Sequence, residues 1–545
     1  MKNVTGGQLL VQCLEQQGVE NAFCVPGESY LAVLDALVDS PINMVNCRHE
    51  GAAAMMAETT GKLTGRPGVA MVTRGPGATN ASAGVHIAQQ DSSPMVLLIG
   101  QVERAFRGRD AFQEVDYRAF YGTMAKWVEE IDDASRIPEV IAKAWQVAMS
   151  DRPGPVVLSL PEDMLRDEVA VVAASRVEIE DPAPGAEELQ RFNTLLDQAV
   201  SPVMIVGGSR WNPSERILLA DFARNRDIPV VVSFRRQMLI DNLHESYAGD
   251  LGLGINPDLA SLIRGSDLVI LLGTRLSEIS SHGYTLLDNP DPGKSVIHVH
   301  RDDNELGRVY QAELMIQSSP GRFLAALGKI EPTSATRSKI AHAQYLKWST
   351  PTPQAVNGVD MGEVMNWLSE NLADDVMITN GAGNYTIWVQ RFFRFRRFAS
   401  LVASTSGSMG YGLPAAISAK LNYSERQCVC FAGDGCFQMT SQEFATVCQL
   451  GLQVIVLVID NSMYGTIRLH QERQYPSRIS ATDLVNPDFA ALAVACGGHG
   501  ETVESTAQFA KAFKRAQASG KPAILHLKVD PDVITPVLRL STLNS

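Results

Sequence analysis

The sequence predicts an α/β protein built from three doubly wound, parallel-sheet domains. Short β-branched runs alternate with stretches of helical periodicity along nearly the whole chain. The 545 residues suffice for about three to four domains. Two stretches lack periodicity and read as linkers, Glu168 to Ala186 and Glu331 to Val359, the second with Pro332-Thr333-Ser334 and Thr350-Pro351-Thr352-Pro353. The expected domains are therefore 1–165, 186–330 and 360–545.

In the first domain, Thr5-Gly6-Gly7-Gln8 has the form of a capping box, with Leu9, Leu10, Cys13 and Leu14 on one helical face and Gly18 as a stop. Strands follow at Ala22–Val25, ending at Pro26-Gly27, and at Ile42–Cys47, ending at Arg48-His49-Glu50. Gly51–Leu63 is Ala-rich and helical, and strand Gly68–Thr73 breaks into the turn Arg74-Gly75-Pro76-Gly77. Strands Met95–Ile99 and Val156–Leu160 complete this domain. Glu50 lies where a strand ends and a helix begins; by pattern alone it is a solvent-facing acid that complements the helix dipole.

Middle-domain strands are expected at Val203–Val206, Val230–Ser233, Leu268–Leu272 and Val296–His300. Gly207-Gly208 does not complete a dinucleotide fingerprint. Arg301-Asp302-Asp303 reads as a solvated turn, with contact to a ribose as the sharper alternative. In the last domain, strand Val376–Thr379 leads into Asn380-Gly381-Ala382-Gly383-Asn384-Tyr385, small residues at a strand-to-helix turn of the kind that holds phosphate.

Cys428 to Thr466 is the most informative stretch. Strands Cys428–Ala432 and Gln453–Ile459 flank a helix with a Thr440-Ser441-Gln442-Glu443 capping pattern and a Gly451 stop. A βαβ arrangement makes the two strands parallel, so Asp434 and Asn461 emerge at the same sheet edge. A carboxylate and an amide oxygen together suit Mg²⁺. Gly433 and Gly435 let backbone approach an anion.

The net charge of −13 argues against nucleic-acid binding, and the Arg391 to Arg397 cluster with its aromatics reads as a helix end with a solvated face. The 8 cysteines form no CxxC pair, which suits a reducing compartment. No apolar run approaches the ~20 residues needed to span a bilayer, and the N-terminus carries no long apolar segment of a secretory signal. A cytoplasmic location with no membrane partner is expected.

Gly433-Asp434-Gly435, a gap of 24 residues, and Asp460-Asn461 resemble the signature of thiamine diphosphate (ThDP) enzymes, which usually end in Asn-Asn. The resemblance extends over nearly the whole chain and implies a pyrimidine, central and diphosphate domain order. It implies that Asp434, Asn461 and the Met463 carbonyl hold Mg²⁺. Contacts to the cofactor are implied for Pro26, Gly27, Gly381, Gly383, Asn384, Gly433, Gly435, Cys436, Tyr464 and Gly465. Arg48-His49-Glu50-Gly51-Ala52-Ala53 resembles the catalytic-glutamate segment, which gives Glu50 the bond to the pyrimidine N1′. Ser406-Gly407-Ser408-Met409-Gly410 resembles the segment whose Met props the bent cofactor and whose Gly carbonyl, here Gly407, meets the 4′-amino group.

Within this family the chain is most similar to acetolactate synthases. Ala111-Phe112-Gln113-Glu114 matches their segment over the thiazolium, so Phe112 and Gln113 take catalytic roles. Ala125-Lys126-Trp127 matches Thr-Lys-His, with Trp127 for His; Lys126 reads as a solvated charge. Gly273-Thr274-Arg275-Leu276 places Arg275 near flavin and substrate. Two departures concern the substrate: Gly249-Asp250-Leu251-Gly252-Leu253-Gly254 stands for the usual Met-Leu-Gly-Met-His-Gly, and Leu469-His470 stands nearest the usual substrate-selecting Trp. FAD or ADP in the central domain is implied by relatives and opposed by the first departure.

The implied activity is decarboxylation and carboligation of a 2-keto acid such as pyruvate, in a homodimer or homotetramer with active sites shared between subunits. Alternatives on the same scaffold are a decarboxylase, a 2-hydroxyacyl-CoA lyase or an oxidase. Glyoxylate carboligases lack the glutamate present here as Glu50. A non-catalytic ThDP-binding paralogue is the reading from a different class.

Overall fold

The computed structural model describes residues 3–328 and 336–543. Pro332-Thr333-Ser334 lies outside the described residues. The chain forms two compact units, one of Met1–Glu180, Ser404–Glu425 and Gln438–Leu452, the other of Asp181–Ala403, Arg426–Phe437 and Gln453–Ser545.

The first unit holds a six-stranded sheet of β1 (Asn21–Cys24), β2 (Asn43–Asn46), β3 (Gly68–Val72), β4 (Met95–Gln101), β5 (Trp127–Glu130) and β6 (Pro155–Pro161). All neighbours are parallel, in the order β2-β1-β3-β4-β6-β5. The order reverses between β1 and β3, which opens a crevice beyond their carboxyl ends. Helix α1 (Gly6–Gln16) starts as its sequence dictates: the Thr5 hydroxyl accepts from the Gln8 N–H at 3.2 Å, and the Gln8 amide oxygen accepts from the Thr5 N–H at 3.0 Å. It buries Leu9, Leu10, Cys13 and Leu14 in a core shared with Trp145 and Leu158. Strand β5 was not legible in the sequence; at this sheet edge all four of its residues are only half-buried.

Helix α2 (Glu50–Thr64) has buried residues nearly all round, which explains its Ala-rich composition. Helices α3 (Ser82–Asp91) and α4 (Gly412–Asn422) pack on it. Between them lies a charged cluster with no counterpart in the sequence reading. Lys62 pairs with Glu58 at 3.2 Å and with Asp91, and donates to the Tyr411 hydroxyl at 2.9 Å. Tyr411 donates in turn to Glu58 at 2.6 Å. Burial pushes the Glu58 carboxyl above its usual range, against the pull of Lys62. Asp91 also accepts from the Thr405 N–H and hydroxyl at 2.7 and 2.6 Å, so the cluster anchors the start of the Thr405–Gly410 loop. Lys62→Met leaves two buried carboxylates without their cation and is expected to cost about 3–5 kcal/mol, read as a lowered midpoint in thermal unfolding.

The expected capping box at Thr440 does not form. Helix α5 (Glu443–Gln449) has no side-chain cap. Thr440 instead donates to the Gly410 carbonyl at 2.7 Å, and the buried Glu443 carboxylate accepts from the Arg48 N–H at 2.9 Å and the Thr446 hydroxyl at 2.7 Å. The remote Gly410 carbonyl and Arg48 N–H, and Thr446 one turn on, engage the side chains that a capping box would have used. Gly451 ends the helix as expected, with φ +62.

The second unit holds two more six-stranded parallel sheets. The first has β7 (Pro202–Val206), β8 (Val230–Ser233), β9 (Tyr247–Leu251), β10 (Leu268–Leu272), β11 (Ser295–His300) and β12 (Leu314–Gln317) in the order β9-β8-β7-β10-β11-β12. The other has β13 (Met377–Asn380), β14 (Leu401–Ala403), β15 (Cys428–Gly433), β16 (Val454–Asp460), β17 (His499–Val503) and β18 (Ala523–Lys528) in the order β14-β13-β15-β16-β18-β17. This last order repeats that of the first unit's sheet, so both sheets have their crevice beside the first strand.

Three expectations are corrected here. The stretch 331–359 is not all linker, since helix Arg337–Trp348 lies in it. Its N-terminal N–H groups, those of Thr336, Arg337 and Ser338, are accepted by Asp227 at 3.0, 3.0 and 2.9 Å, a cap supplied from far away in the sequence. The arginine cluster is not a solvated face: Phe392, Phe393 and Phe395 are buried, Arg394 donates to Tyr345 and Ser349, and Arg396 pairs with Asp241. Arg301 and Asp302 are also buried rather than solvated, Arg301 in an ion pair with Asp181.

Candidate active site

In the first unit, Glu50, Gly27 and Gln113 lie together around the crevice of the sheet, whereas Gly407 and Met409 lie on a separate loop. Glu50 opens α2, and the His49 ring accepts from the Gly51 N–H at 3.0 Å, capping the helix. The Glu50 Oε2 accepts from Asn80 Nδ2 at 3.0 Å. Its Oε1 faces Gly77, where a Cβ would come within 3.2 Å of it. The carboxylate thus has one oxygen fixed and the other under a residue without a side chain. Pro26 and Gly27 follow β1, with Gly27 against Thr73 of the neighbouring strand end.

Gln113 joins this group through the turn at Gly75, whose Cβ position lies 2.7 Å from the Gln113 Cβ. Arg74 ties the same loop down, pairing with Glu162 at 2.9 Å and donating to the Phe112 carbonyl at 3.4 Å. The Phe112 side chain is 74% exposed, so within its unit it packs on nothing substantial. Lys126 is exposed and donates to the Ser150 carbonyl at 2.8 Å. Gly407 is exposed with φ +66 and Met409 is half-buried, both on the loop anchored by Asp91.

In the second unit, three turns meet at the crevice between β13 and β15. They are Gly381–Asn384 after β13, Gly433–Cys436 after β15, and Asn461–Gly465 after β16. A Cβ on Gly465 would lie 2.7 Å from Asn384 Oδ1 and 2.8 Å from Asn461 Nδ2, so any larger residue would displace both amides where the turns touch. Tyr385 backs Gly433 and its hydroxyl reaches the Cys436 sulfur at 3.4 Å; the Tyr464 ring backs Gly435. The buried Asp434 carboxylate accepts from the Gly435 N–H at 2.9 Å and from Asn486 Nδ2 at 2.7 Å. Burial pushes this carboxyl up to about 6, against the lowering effect of those two bonds.

Behind Asp434 stands a network that the sequence did not reveal. The Asn486 Nδ2 also donates to Asp460 Oδ1 at 2.8 Å, so one amide group bridges two carboxylates. Asp460 Oδ2 accepts from His526 at 2.8 Å and Lys528 at 2.6 Å, both on β18. Burial opposes ionisation of Asp460, but the His526 and Lys528 contacts outweigh it and hold the carboxyl far below its usual range. Asn486 lies 26 residues beyond Asp460 and 52 beyond Asp434, too far for any local pattern to find it. The buried Arg235 is a second missed residue; it donates to the Gly381 carbonyl at 2.9 Å and so supports the first turn from behind.

Comparison with known proteins matches the same regions. Residues 4–120 match the model "Thiamine pyrophosphate enzyme, N-terminal TPP binding domain", residues 189–327 the central domain of such enzymes, and residues 381–527 their C-terminal TPP binding domain. The chain is 31% identical over 533 residues to the acetolactate synthase isozyme 2 large subunit of Escherichia coli K12, covering 97% of this chain and 96% of that protein. This chain is a thiamine diphosphate enzyme of the acetolactate synthase family. It is also 31% identical to the acetolactate synthase large subunit of Lactococcus lactis over 91% of this chain and 88% of that one. The Corynebacterium glutamicum acetolactate synthase large subunit is 29% identical over 100% and 90%.

The residues present fit the charged end of that cofactor. Among the described residues no three His, Cys, Asp or Glu side chains cluster as metal ligands. The second unit's crevice offers instead one carboxylate (Asp434), one amide oxygen (Asn461) and one backbone carbonyl (Met463), a hard-oxygen set that leaves positions for phosphate and water. Asn461 is buried, and among the described residues its Oδ1 accepts only a long 3.3 Å bond from the Met463 N–H. At the middle sheet's switch point, Gly207 and Gly208 close on Ser233, Thr274 and Gly273. Arg275, next to this point, is half-buried.

Proposed function

We propose that this ThDP enzyme uses Mg²⁺, held by Asp434, Asn461 and the Met463 carbonyl, and acts on 2-keto acids, decarboxylating pyruvate and ligating the remaining fragment to a second carbonyl compound. The observation that carries this reading is the pairing of an intact Glu50 constellation with an intact Asp434–Asn461 cradle, each at a switch-point crevice, in a chain that aligns end to end with proteins named acetolactate synthase. ThDP supplies the carbanion and the electron sink. The protein's share is positioning and proton handling. Asn80 holds Glu50 Oε2, which leaves Oε1 above Gly77 to take and return a proton. The Gly381–Asn384 turn offers backbone N–H groups to the diphosphate, and Arg235 braces it; in the Asn461–Gly465 turn the N–H groups of Ser462, Met463, Tyr464 and Gly465 are engaged within the protein, which leaves that turn its oxygen ligands. In this reading Gln113, whose Cβ lies against Gly75, acts on the thiazolium side of the cofactor.

Homodimeric or homotetrameric assembly with shared active sites is part of the proposal. A smaller partner chain is a further part, supported by the name "large subunit" that the relatives carry. With pyruvate, ThDP and Mg²⁺ supplied, pyruvate is expected to be consumed, and chelation with EDTA is expected to stop consumption. Continued turnover in EDTA would contradict the metal assignment. A decarboxylase is the second reading. It is favoured by one observation: α6 (Gly465–Gln474) carries Leu469 and His470 and no tryptophan.

A further inference from the structure

The two departures from the acetolactate synthase pattern, far apart in sequence, line one cavity. This cavity of about 420 Å³ lies within the second unit. The Gly249–Gly254 segment at the end of β9 forms one wall, and Thr466, Leu469 and His470 of α6 another. Helix Thr386–Phe392 contributes Ile387 and Gln390. Both helices begin at cofactor-binding turns, α6 at Gly465 and the other just after Asn384, so the cavity adjoins the cradle.

Its chemistry is divided. Leu253, Tyr345, Trp348, Ile387, Leu469 and Leu538 make most of the lining apolar. At the inner end, Asp250 and Gln390 converge over Gly252, where a Cβ would come within 2.6 Å of Asp250 Oδ2 and 3.2 Å of Gln390 Oε1. Gln390 is only 6% exposed, and neither its amide nitrogen nor its amide oxygen has a partner among the described residues. The buried Thr466 hydroxyl lacks one too. Burial pushes the Asp250 carboxyl up to about 7, and part of its surface stays open to the cavity. Unpaired buried polar atoms are costly, and an unpaired amide beside a carboxyl in an apolar cavity is explained by a ligand that pairs with it. At the mouth, the exposed His470 and Arg473 favour an anion.

Size narrows the ligand further. A cavity of about 150 Å³ accommodates benzene, with its six heavy atoms. Pyruvate also has six heavy atoms, so a space nearly three times larger suits a substrate of roughly twice that size or more.

We propose that this cavity receives the variable part of a 2-keto acid substrate, an apolar body of aromatic size that ends in a hydroxyl or amide group bonded by Asp250 and Gln390. The inference rests on the ThDP 2-keto acid reading above. A group that both donates and accepts is matched by an amide and a carboxyl side by side, and an apolar terminus would leave them unpaired.

The test compares phenylpyruvate with 4-hydroxyphenylpyruvate, each offered with pyruvate, ThDP and Mg²⁺, by the rate of consumption of each acid. The wild type is expected to prefer the hydroxylated acid at least tenfold in kcat/KM. Asp250→Leu and Gln390→Leu are each expected to reduce that preference to below threefold. Equal use of both acids by the wild type, turnover of pyruvate alone, or a preference that survives both substitutions would overturn the inference while leaving the 2-keto acid reading intact. A bound flavin lost in Asp250→Leu would also overturn it, since the flavin would then own the cavity. Failure to consume any of the three acids, with ThDP shown bound by calorimetry, would contradict the underlying reading and the inference with it.

Discussion

Glu50→Gln is expected to lower kcat by about 10²–10⁴-fold, the usual share of a general acid–base group, while ThDP affinity measured by calorimetry stays close to that of the wild type. The substitution keeps shape and keeps an acceptor for Asn80, whose bond to Oε2 is 3.0 Å. It removes only the capacity to exchange a proton. If affinity falls as much as kcat, Glu50 is a binding residue and the proton-transfer role is wrong. If turnover is unchanged, the residue has no catalytic part.

Asp434→Ala is expected to weaken Mg²⁺-dependent ThDP binding by more than about 100-fold, since a lost metal ligand costs more than a lost outer partner. Asp460→Asn, which changes only the outer network, is expected to cost about 10–100-fold, less than the loss of the ligand itself. The two variants separate ligand from support. Asp434 holds the ion directly in the proposed set, whereas Asp460 acts through Asn486, whose amide reaches both carboxylates at 2.7 and 2.8 Å. Titration of ThDP in saturating Mg²⁺ checks both. Equal losses would mean that the network behaves as one unit, and unchanged binding in Asp434→Ala would remove Asp434 from the metal site.

The sequence carried the fold wherever local chemistry decides it. Strands β15 and β16 are continuous apolar runs because both faces are covered, and the Gly451 stop and the Thr5 capping box use only near neighbours. Glu50, Asp434 and Asn461 were locatable because they sit at strand ends, where topology rather than packing positions them, whereas the role of Glu50 and the interest of Phe112 and Gln113, in the loop beyond β4, came from the family resemblance. What escaped detection depends on partners remote in sequence. The cap of helix Arg337–Trp348 comes from Asp227, the support of Asp434 from Asn486, and the cation beside Asp91 from Lys62, within a helix that reads only as Ala-rich. Strand β9 was missed because Gly249 and Asp250 interrupt its apolar pattern, and those same residues shape the cavity. The Arg391–Arg397 stretch misled because cations stacked on aromatics, as Arg391 is on Trp348 at 3.5 Å, are indistinguishable in sequence from solvated ones.

The most direct test of the account is product analysis by NMR after incubation of the protein with pyruvate, ThDP and Mg²⁺. Formation of acetolactate is the expected result and would show that α6 needs no tryptophan for ligation. Acetaldehyde alone would replace ligation by simple decarboxylation, and recovery of unchanged pyruvate would contradict the assignment of pyruvate as a substrate.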